Sequence, residues 1–278
     1  HKNGNTLKCH YCGFIAFPSD ICPKCNTQSI VEYGFGTERI VHELQNLYPN
    51  AKILRLDRDT VSHSAQIDTI LQNFKQHKAD ILVGTQMVTK GHDFHQVTCV
   101  GVLMADTALM FPDFRAGEYA FSQLTQIIGR SGRGQKPGSV IVQTYTPEHY
   151  VIQMAANHDR EGFFSKELKE RKIAGYPPFS RIAFLRISGK YQKDTEEFAA
   201  LLKDLMFRTK YDETLLRIKG PAEAPMAWLK SYYRIHFLMH AQKAVYLSSF
   251  LSSFLPKVYQ LIPAGIRFSV DVDPTSML

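Results

Sequence analysis

The segment Asp80-Ile-Leu-Val-Gly-Thr85 is apolar at nearly every position. Successive side chains of a strand point to opposite faces, so an unbroken apolar run suits a parallel strand covered on both sides. Around it, strand-like and helix-like patterns alternate. Thr37–Tyr48 places Ile40, Val41, Leu44, Leu47 and Tyr48 at helical spacing, with Thr37 as an N-cap and Pro49-Asn50 as its end. Lys52–Leu56 reads as a strand, and residues 64–77 as a helix with Ile67, Ile70, Leu71 and Phe74 inward. Strands are expected at 97–106 and 138–145, with a helix near 116–129 between them. This order predicts an α/β layer with a mainly parallel sheet.

The second half has a different rhythm. Two helical stretches, 149–158 and 161–174, precede Gly175-Tyr-Pro-Pro-Phe179, the punctuation before a new domain. Then come a strand at 181–189, a helix at 194–207, strands at 214–220 and 232–241, a helix at 243–255 and a strand at 266–273. The order βαββαβ is that of a ferredoxin-like split βαβ. Residues 220–231, with Pro221 and Pro225, read as a loop carrying the single tryptophan, Trp228, beside Lys230 and Arg234. An aromatic among cations can stack a base and neutralise phosphate. The plainer reading is that Trp228 caps the small core. Lys243, at a helix start, is a further possible contact.

No apolar run reaches the ~20 residues of a membrane helix. Residues 1–150 carry 14 Lys and Arg against 13 Asp and Glu, whereas residues 151–278 carry 19 against 13. The basic excess of the second half suits a polyanion, although a solvated basic face has the same composition. No secretory leader is read at His1, and the missing initiator Met is expected to mark a piece of a longer chain.

Four of the five cysteines form two Cys-x-x-Cys knuckles, Cys9/Cys12 and Cys22/Cys25, with nine residues between them. Each knuckle lets two thiolates converge on a metal, and four complete a tetrahedral structural zinc site. Redox Cys-x-x-Cys pairs occur singly at a helix start after a strand, which neither knuckle offers. A ribbon of this size has too little core to fold alone, so zinc would supply its folding energy. Cys99, alone in an apolar run, is expected to be a buried small hydrophobe.

In parallel α/β sheets, ligands gather at the carboxyl ends of the strands. Thr85, Gln86, Lys90 and Asp93 follow one strand, and Asp106 and Arg115 follow the next. The run Gln126-Ile-Ile-Gly-Arg130-Ser-Gly-Arg133 ends the following helix. Arginine stays charged and offers a planar fork to phosphate oxygens. The same run could be only a basic glycine-rich loop. No G-x-x-x-x-G-K-[ST] sequence occurs, so the chain has no phosphate loop of its own and would supply arginines to a nucleotide held elsewhere.

The motifs GTQMVTKGHDF, PDFRAGE and QIIGRSGRG, after RLDRDT, resemble motifs IV to VI of a superfamily 2 helicase. Together with the paired knuckles, GTERI and the YPPF segment, the whole chain is similar to the primosomal protein N′ (PriA) family of replication-restart DNA helicases. The resemblance implies a RecA-like second helicase lobe (35–175) carrying an inserted zinc ribbon (1–34), and a C-terminal βαββαβ domain (176–278). It implies Arg130, Arg133 and Gln126 in catalysis on ATP with Mg2+, with Gly129, Gly91 and Asp93 on the nucleotide side. Thr85, Gln86 and Lys90 would couple nucleotide to DNA. It also implies 3′-to-5′ unwinding, recognition of forked and single-stranded DNA, and primosome assembly with single-stranded DNA-binding protein, primosome proteins and the replicative helicase loader. A cytoplasmic, nucleoid-associated bacterial monomer is expected, with no membrane contact. In the family the zinc region holds two metals with eight cysteines, so Cys9/Cys12 and Cys22/Cys25 would serve different zincs; the knuckle spacing alone suits one. Tyr119, Ser122 and Ser131 stand where the family pattern leads one to expect Arg, Gln and Ala, and His95 where it leads one to expect Pro; no motif arginine is lost. A zinc-ribbon nucleic-acid adaptor without nucleotide chemistry, or a different superfamily 2 translocase, are the competing readings.

Overall fold

A computed structural model of the chain describes residues 7–8, 15–17, 19, 21–22, 25–28, 36–57, 64–85, 88, 94, 97–129 and 138–277. It divides into two compact units. One, the α/β unit, comprises residues 19–107 and 119–159; the other, the C-terminal unit, comprises 1–18, 108–118 and 160–278.

The elements run β1 (Leu7–Lys8), β2 (Ile15–Ala16), α1 (Thr37–Leu47), β3 (Ile53–Leu56), α2 (Ser64–Lys75), β4 (Ile81–Gly84), β5 (Cys99–Val102), α3 (Asp106–Leu109), α4 (Ala116–Ile128) and β6 (Ser139–Val142). Then follow α5 (Tyr150–Ala156), α6 (Arg160–Ala174), β7 (Arg181–Gly189), α7 (Gln192–Arg208), β8 (Leu216–Leu229), β9 (Tyr232–Ala241), α8 (Ala244–Tyr259) and β10 (Ile266–Val272).

In the α/β unit, β3 pairs β4 and β5 pairs β6, both parallel, as the apolar runs predict. The inward stripe of α2 is as the periodicity requires: Leu71 is buried with Leu56 and Phe94, and Ile67, Ile70 and Phe74 pack around them. Phe74 meets Phe94 edge-on at 5.2 Å between ring centres. Two expectations fail here. Thr37 is the first helical residue and Gly36 the N-cap; the Thr37 hydroxyl donates instead to Asp57, just beyond β3. Cys99 is exposed, because β5 alternates exposed and half-buried positions and pairs only β6 among the described residues.

The C-terminal unit is built on an antiparallel sheet of order β10-β7-β9-β8. Strand β9 lies between β7 and β8, which are joined through α7, so the element order is βαββαβ with the first and third strands central. One sheet face carries Ala183, Leu185, Ile187, Ile235, Phe237 and Met239, packed in one cluster with Phe198 and Leu202 of α7 and Leu247, Phe250 and Phe254 of α8. Each leucine, isoleucine, phenylalanine or methionine among them, fully buried, contributes about 1.5–3 kcal/mol. Leu201 is 44% exposed, and Ala199 and Met206 take inner positions of α7.

Residues 220–231 are not a loop. Strand β8 continues through them to Leu229, with register shifts between Lys219 and Ala222 and between Glu223 and Trp228. Its two prolines are tolerated because β8 is an edge strand, where a missing N–H costs no ladder bond on the open side. Gly220 has φ +119°, and a Cβ there would lie 2.8 Å from the His236 carbonyl oxygen. The chain reverses at Lys230-Ser231, both with positive φ (50° and 65°), the backbone that a two-residue hairpin turn needs.

The opposite sheet face is laid out by register in four rows. Arg267, Ser188 and Arg234 form the first, and Ser269, Arg186, His236 and Ala222 the second. Asp271, Phe184, Leu238 and Lys219 form the third, and Ile182, His240 and Arg217 the fourth. Ile182, Phe184 and Leu238 are buried, with Phe114 and Met277 packed on them.

Candidate nucleotide edge and nucleic-acid interface

Helix α4 ends at Ile128, so Gln126 stands exposed on its last turn and Gly129 follows as the turn residue, its N–H bonded to the Thr125 carbonyl. The motif arginines, Arg130 and Arg133, begin where the described residues stop, and Gln86, Lys90, Gly91 and Asp93 also lie outside them. Thr85 is described and exposed immediately beyond β4. Gln126, Gly129 and Thr85 thus sit at element ends in the α/β unit.

Two residues read as part of this edge have other work. Asp106 is 4% exposed and accepts hydrogen bonds from the Thr144 hydroxyl (2.7 Å), the Tyr145 N–H (2.9 Å), and the Thr146 hydroxyl (2.6 Å) and N–H (3.2 Å). Burial pushes its pKa up, but these bonds outweigh burial and hold it well below the usual carboxylate range. Asp106 is therefore a tie between the ends of β5 and β6. Arg115 belongs to the C-terminal unit: its guanidinium donates to the Thr275 carbonyl at 3.4 Å and lies 5.3 Å from the centre of the Phe114 ring.

Its neighbours are anchored in the same way. Asp113 accepts from the Arg115 and Met277 N–H groups, each at 2.9 Å. Phe114 stacks on Tyr176 at 4.9 Å and 5° between planes. Arg171 of α6, nearly buried, pairs with Glu167 (3.0 Å) and Glu118 (2.9 Å), donates to the Pro177 carbonyl and sits 5.0 Å from the Phe114 ring centre. The Pro112-Asp113-Phe114-Arg115 run is therefore a structural clasp of the C-terminal unit.

Of the knuckles, Cys9 and Cys12 lie outside the described residues. Cys22 and Cys25 bracket a turn closed by Asn26 N–H to Cys22 O (2.8 Å) and Cys22 N–H to Thr27 O (3.0 Å), with Asn26 at φ 53°. The Cys25 sulfur lies 3.0 Å from the Thr27 hydroxyl. Hydrogen bonds from the Thr27 side chain and backbone, and then from Cys22, lower the Cys25 pKa. A Cys-x-x-Cys turn of this kind can offer two ligands, half of a tetrahedral zinc site; among the described residues no group of three or more possible metal ligands stands together.

The aromatic and basic residues of the C-terminal unit are not arranged as the sequence suggests. Trp228 stands opposite Tyr233, its ring 5.3 Å away, on the helix-covered side of the sheet, and is 43% exposed. Tyr233 is buried and donates to Glu223 at 2.7 Å; burial, and then Glu223, raise its pKa. Lys230 is exposed in the turn and Lys243 is the exposed N-cap of α8. Arg234 alternates to the open face. So Trp228, Lys230, Arg234 and Lys243 form no single cluster. The open face instead brings Arg234 beside Arg186, His236 and Arg267, three residues that no motif or composition signal marks. Burial, followed by the Arg186 charge, lowers the Arg234 pKa; burial, followed by Arg234 and Arg186, lowers that of His236. Register would have exposed the cluster, but it is set by the pairing of β10, β7 and β9, strands that lie far apart along the chain.

Among the described residues no helix is long and apolar enough to cross a membrane. The helicase conserved C-terminal domain family matches residues 21–135, and the primosomal protein N C-terminal domain family matches residues 172–275. The chain is 39% identical over 279 residues to the replication restart protein PriA of Bacillus subtilis, covering all of the chain and 34% of that protein. It is 37% identical to PriA of Synechocystis, over 98% of the chain and 32% of the relative, and 34% identical to that of Chlamydia pneumoniae, over 99% and 36%. The chain thus spans about a third of the length of these relatives, and over that third it belongs to the PriA family of replication restart proteins.

Proposed function

We propose that this chain is the second motor lobe, zinc-binding module and ferredoxin-like C-terminal domain of an ATP-dependent, 3′-to-5′ DNA helicase that recognises abandoned forks and starts primosome assembly. The observation that carries the reading is the exposed Gln126 on the last turn of α4, leading through Gly129 into Arg130 and Arg133. Arg130 and Arg133 would reach the γ-phosphate of ATP-Mg2+ bound by a first lobe, where an arginine is often worth ~10³–10⁵ in rate. Thr85, Gln86 and Lys90 would sense the DNA strand, and Gly91 and Asp93 the nucleotide. Zinc, held by Cys22/Cys25 and by Cys9/Cys12, would supply a rigid tetrahedral centre and no chemistry. The βαββαβ order with β7 and β9 central supports the ferredoxin-like assignment. Forked and single-stranded DNA, single-stranded DNA-binding protein and primosome proteins are the partners that fit a restart role.

The deciding experiment measures DNA-stimulated ATP hydrolysis by a full-length protein carrying this chain, with Arg130→Ala or Arg133→Ala. A fall of about a hundredfold or more with DNA binding retained is expected. Unchanged turnover would reduce the motif to a loop and favour the zinc adaptor.

A further inference from the structure

We propose that Arg171, with Glu118, Phe114 and Tyr176, positions Gln126 and Gly129 from the other end of α4, and so sets the rate of ATP hydrolysis without touching the nucleotide. This role rests on the motor reading above and adds to it residues that lie outside the nucleotide edge.

Arg171 is 8% exposed, and each of its nitrogens is committed to a different segment. Its Nε donates to Glu167 on its own helix (3.0 Å). One terminal nitrogen pairs with Glu118 in the first turn of α4 (2.9 Å), and the other donates to the Pro177 carbonyl (3.3 Å). Its Cζ lies 5.0 Å from the centre of the Phe114 ring, which stacks on Tyr176. Burying an ion pair is costly, and apolar side chains of similar volume hold such a junction at least as firmly. What the guanidinium fork adds is geometry, because it meets its partners in one arrangement. Arg171 thus fixes Glu118, and with it the first turn of α4, more narrowly than packing does.

The clasp runs straight into the helix. The Asp113 carbonyl accepts from the Ala116 N–H (3.0 Å), so residues 113–115 turn directly into α4. Ala116, Ala120 and Leu124 are buried along one side of α4. That stripe sets the rotation of the helix about its own axis, and the clasp sets the place and tilt of its first turn. Gly129 stands eleven residues beyond Glu118, about 16 Å at the helical rise. A tilt of about 3–4° at Glu118 moves Gly129 by about 1 Å, and a misplacement of that size can cost about a hundredfold in rate.

The test is DNA-stimulated ATP hydrolysis by a full-length protein carrying this chain, each rate divided by the nucleotide sites titrated with a non-hydrolysable ATP analogue. Variants are Glu118→Gln, which leaves Arg171 its Glu167 partner, Tyr176→Leu and Tyr176→Phe. Phe198→Leu, in the helix-covered core away from the clasp, is the stability control. Glu118→Gln and Tyr176→Leu should lower kcat by about ten- to a hundredfold and leave KM for ATP within about twofold. Tyr176→Phe keeps the ring and should restore the rate, and Phe198→Leu should turn over as the parent does. Arg130→Ala is the reference. Glu118 acts through the motif, so Glu118→Gln added to Arg130→Ala should cost less than about threefold more, although independent distant sites combine in full. Parent-like kcat in Glu118→Gln and Tyr176→Leu, with Arg130→Ala collapsed, would overturn the positioning role and leave the motor reading standing. An equal fall in Phe198→Leu, or full multiplication of the two losses in the double variant, would overturn it too. Parent-like turnover in Arg130→Ala would overturn the motor reading, and this role with it.

Discussion

Asp106 offers the sharpest test of how the carboxyl edge of the α/β unit is built. Its four hydrogen bonds divide unequally: Oδ1 takes both Thr144 and Thr146 hydroxyls and the Thr146 N–H, whereas Oδ2 takes the Tyr145 N–H. A hydrogen bond to a charged acceptor is worth about 1.5–3 kcal/mol, and an abandoned buried donor costs a similar amount. Tyr145 and Thr146 are exposed, so water recovers part of the loss. Asp106→Ala should therefore weaken the local closure by about 3 kcal/mol, raising amide exchange at Tyr145 and Thr146 roughly a hundredfold. Asp106→Asn should be selective. Its oxygen can keep the Oδ1 partners while its NH2 opposes the Tyr145 N–H, so exchange should rise at Tyr145 and much less at Thr146. The pH dependence has a definite sign. The folded carboxyl is depressed below its unfolded value, so the contribution is full above the ordinary range near 4 and is lost as pH falls through the folded value. Amide exchange by NMR reads both residues directly. Parent-like exchange at Tyr145 and Thr146 in Asp106→Ala would refute the assignment of Asp106 as a tie.

Arg171→Met should destabilise the C-terminal unit by about 3–5 kcal/mol in thermal unfolding, since it leaves Glu167 and Glu118 without their cation; a change within 1 °C would contradict this. Gly220→Ala should cost at least about 1 kcal/mol through its positive φ and the close His236 carbonyl, read from denaturant midpoints. Folded His236 and His240 have lowered pKa values, from burial first; the unfolded chain takes up protons that they refuse, so stability should fall as pH drops below about 6.5. Chelation should raise hydrogen exchange over residues 1–34 and leave residues 80–105 protected, and an equal rise in both would refute an independent zinc module. The chain alone should hydrolyse no ATP, and robust turnover by pure chain would overturn the two-lobe reading.

Periodicity made the βαββαβ order, the α2 stripe and the strand segments of the α/β unit legible, because each depends on neighbours a few residues apart. What it misplaced depends on partners far along the chain. Asp106 and Arg115 follow a strand in sequence, as ligand residues do, yet their partners lie near residue 145 and at Thr275. Residues 220–231 carry two prolines and a glycine, the usual marks of a loop, and Lys230-Ser231 is not a typical hairpin pair; only edge position and a bulged register reconcile them with a strand. The candidate site was legible as motif order, from Thr85 to Gly129, whereas Arg186, His236 and Arg267 emerged only from cross-strand rows.

The clasp at 113–115 also decides how such a protein can be taken apart. Residues 108–118 belong with 160–278, although the chain on both sides of them belongs to the other unit, and α4 passes across that division between Glu118 and Tyr119. A fragment ending near residue 159 would carry Phe114 without Tyr176, Arg171 or Met277, and a fragment beginning at 160 would expose Ile182, Phe184 and Leu238 where Phe114 had packed. Neither piece would be a clean module, so the two units are expected to be inherited, expressed and swapped between relatives together rather than singly.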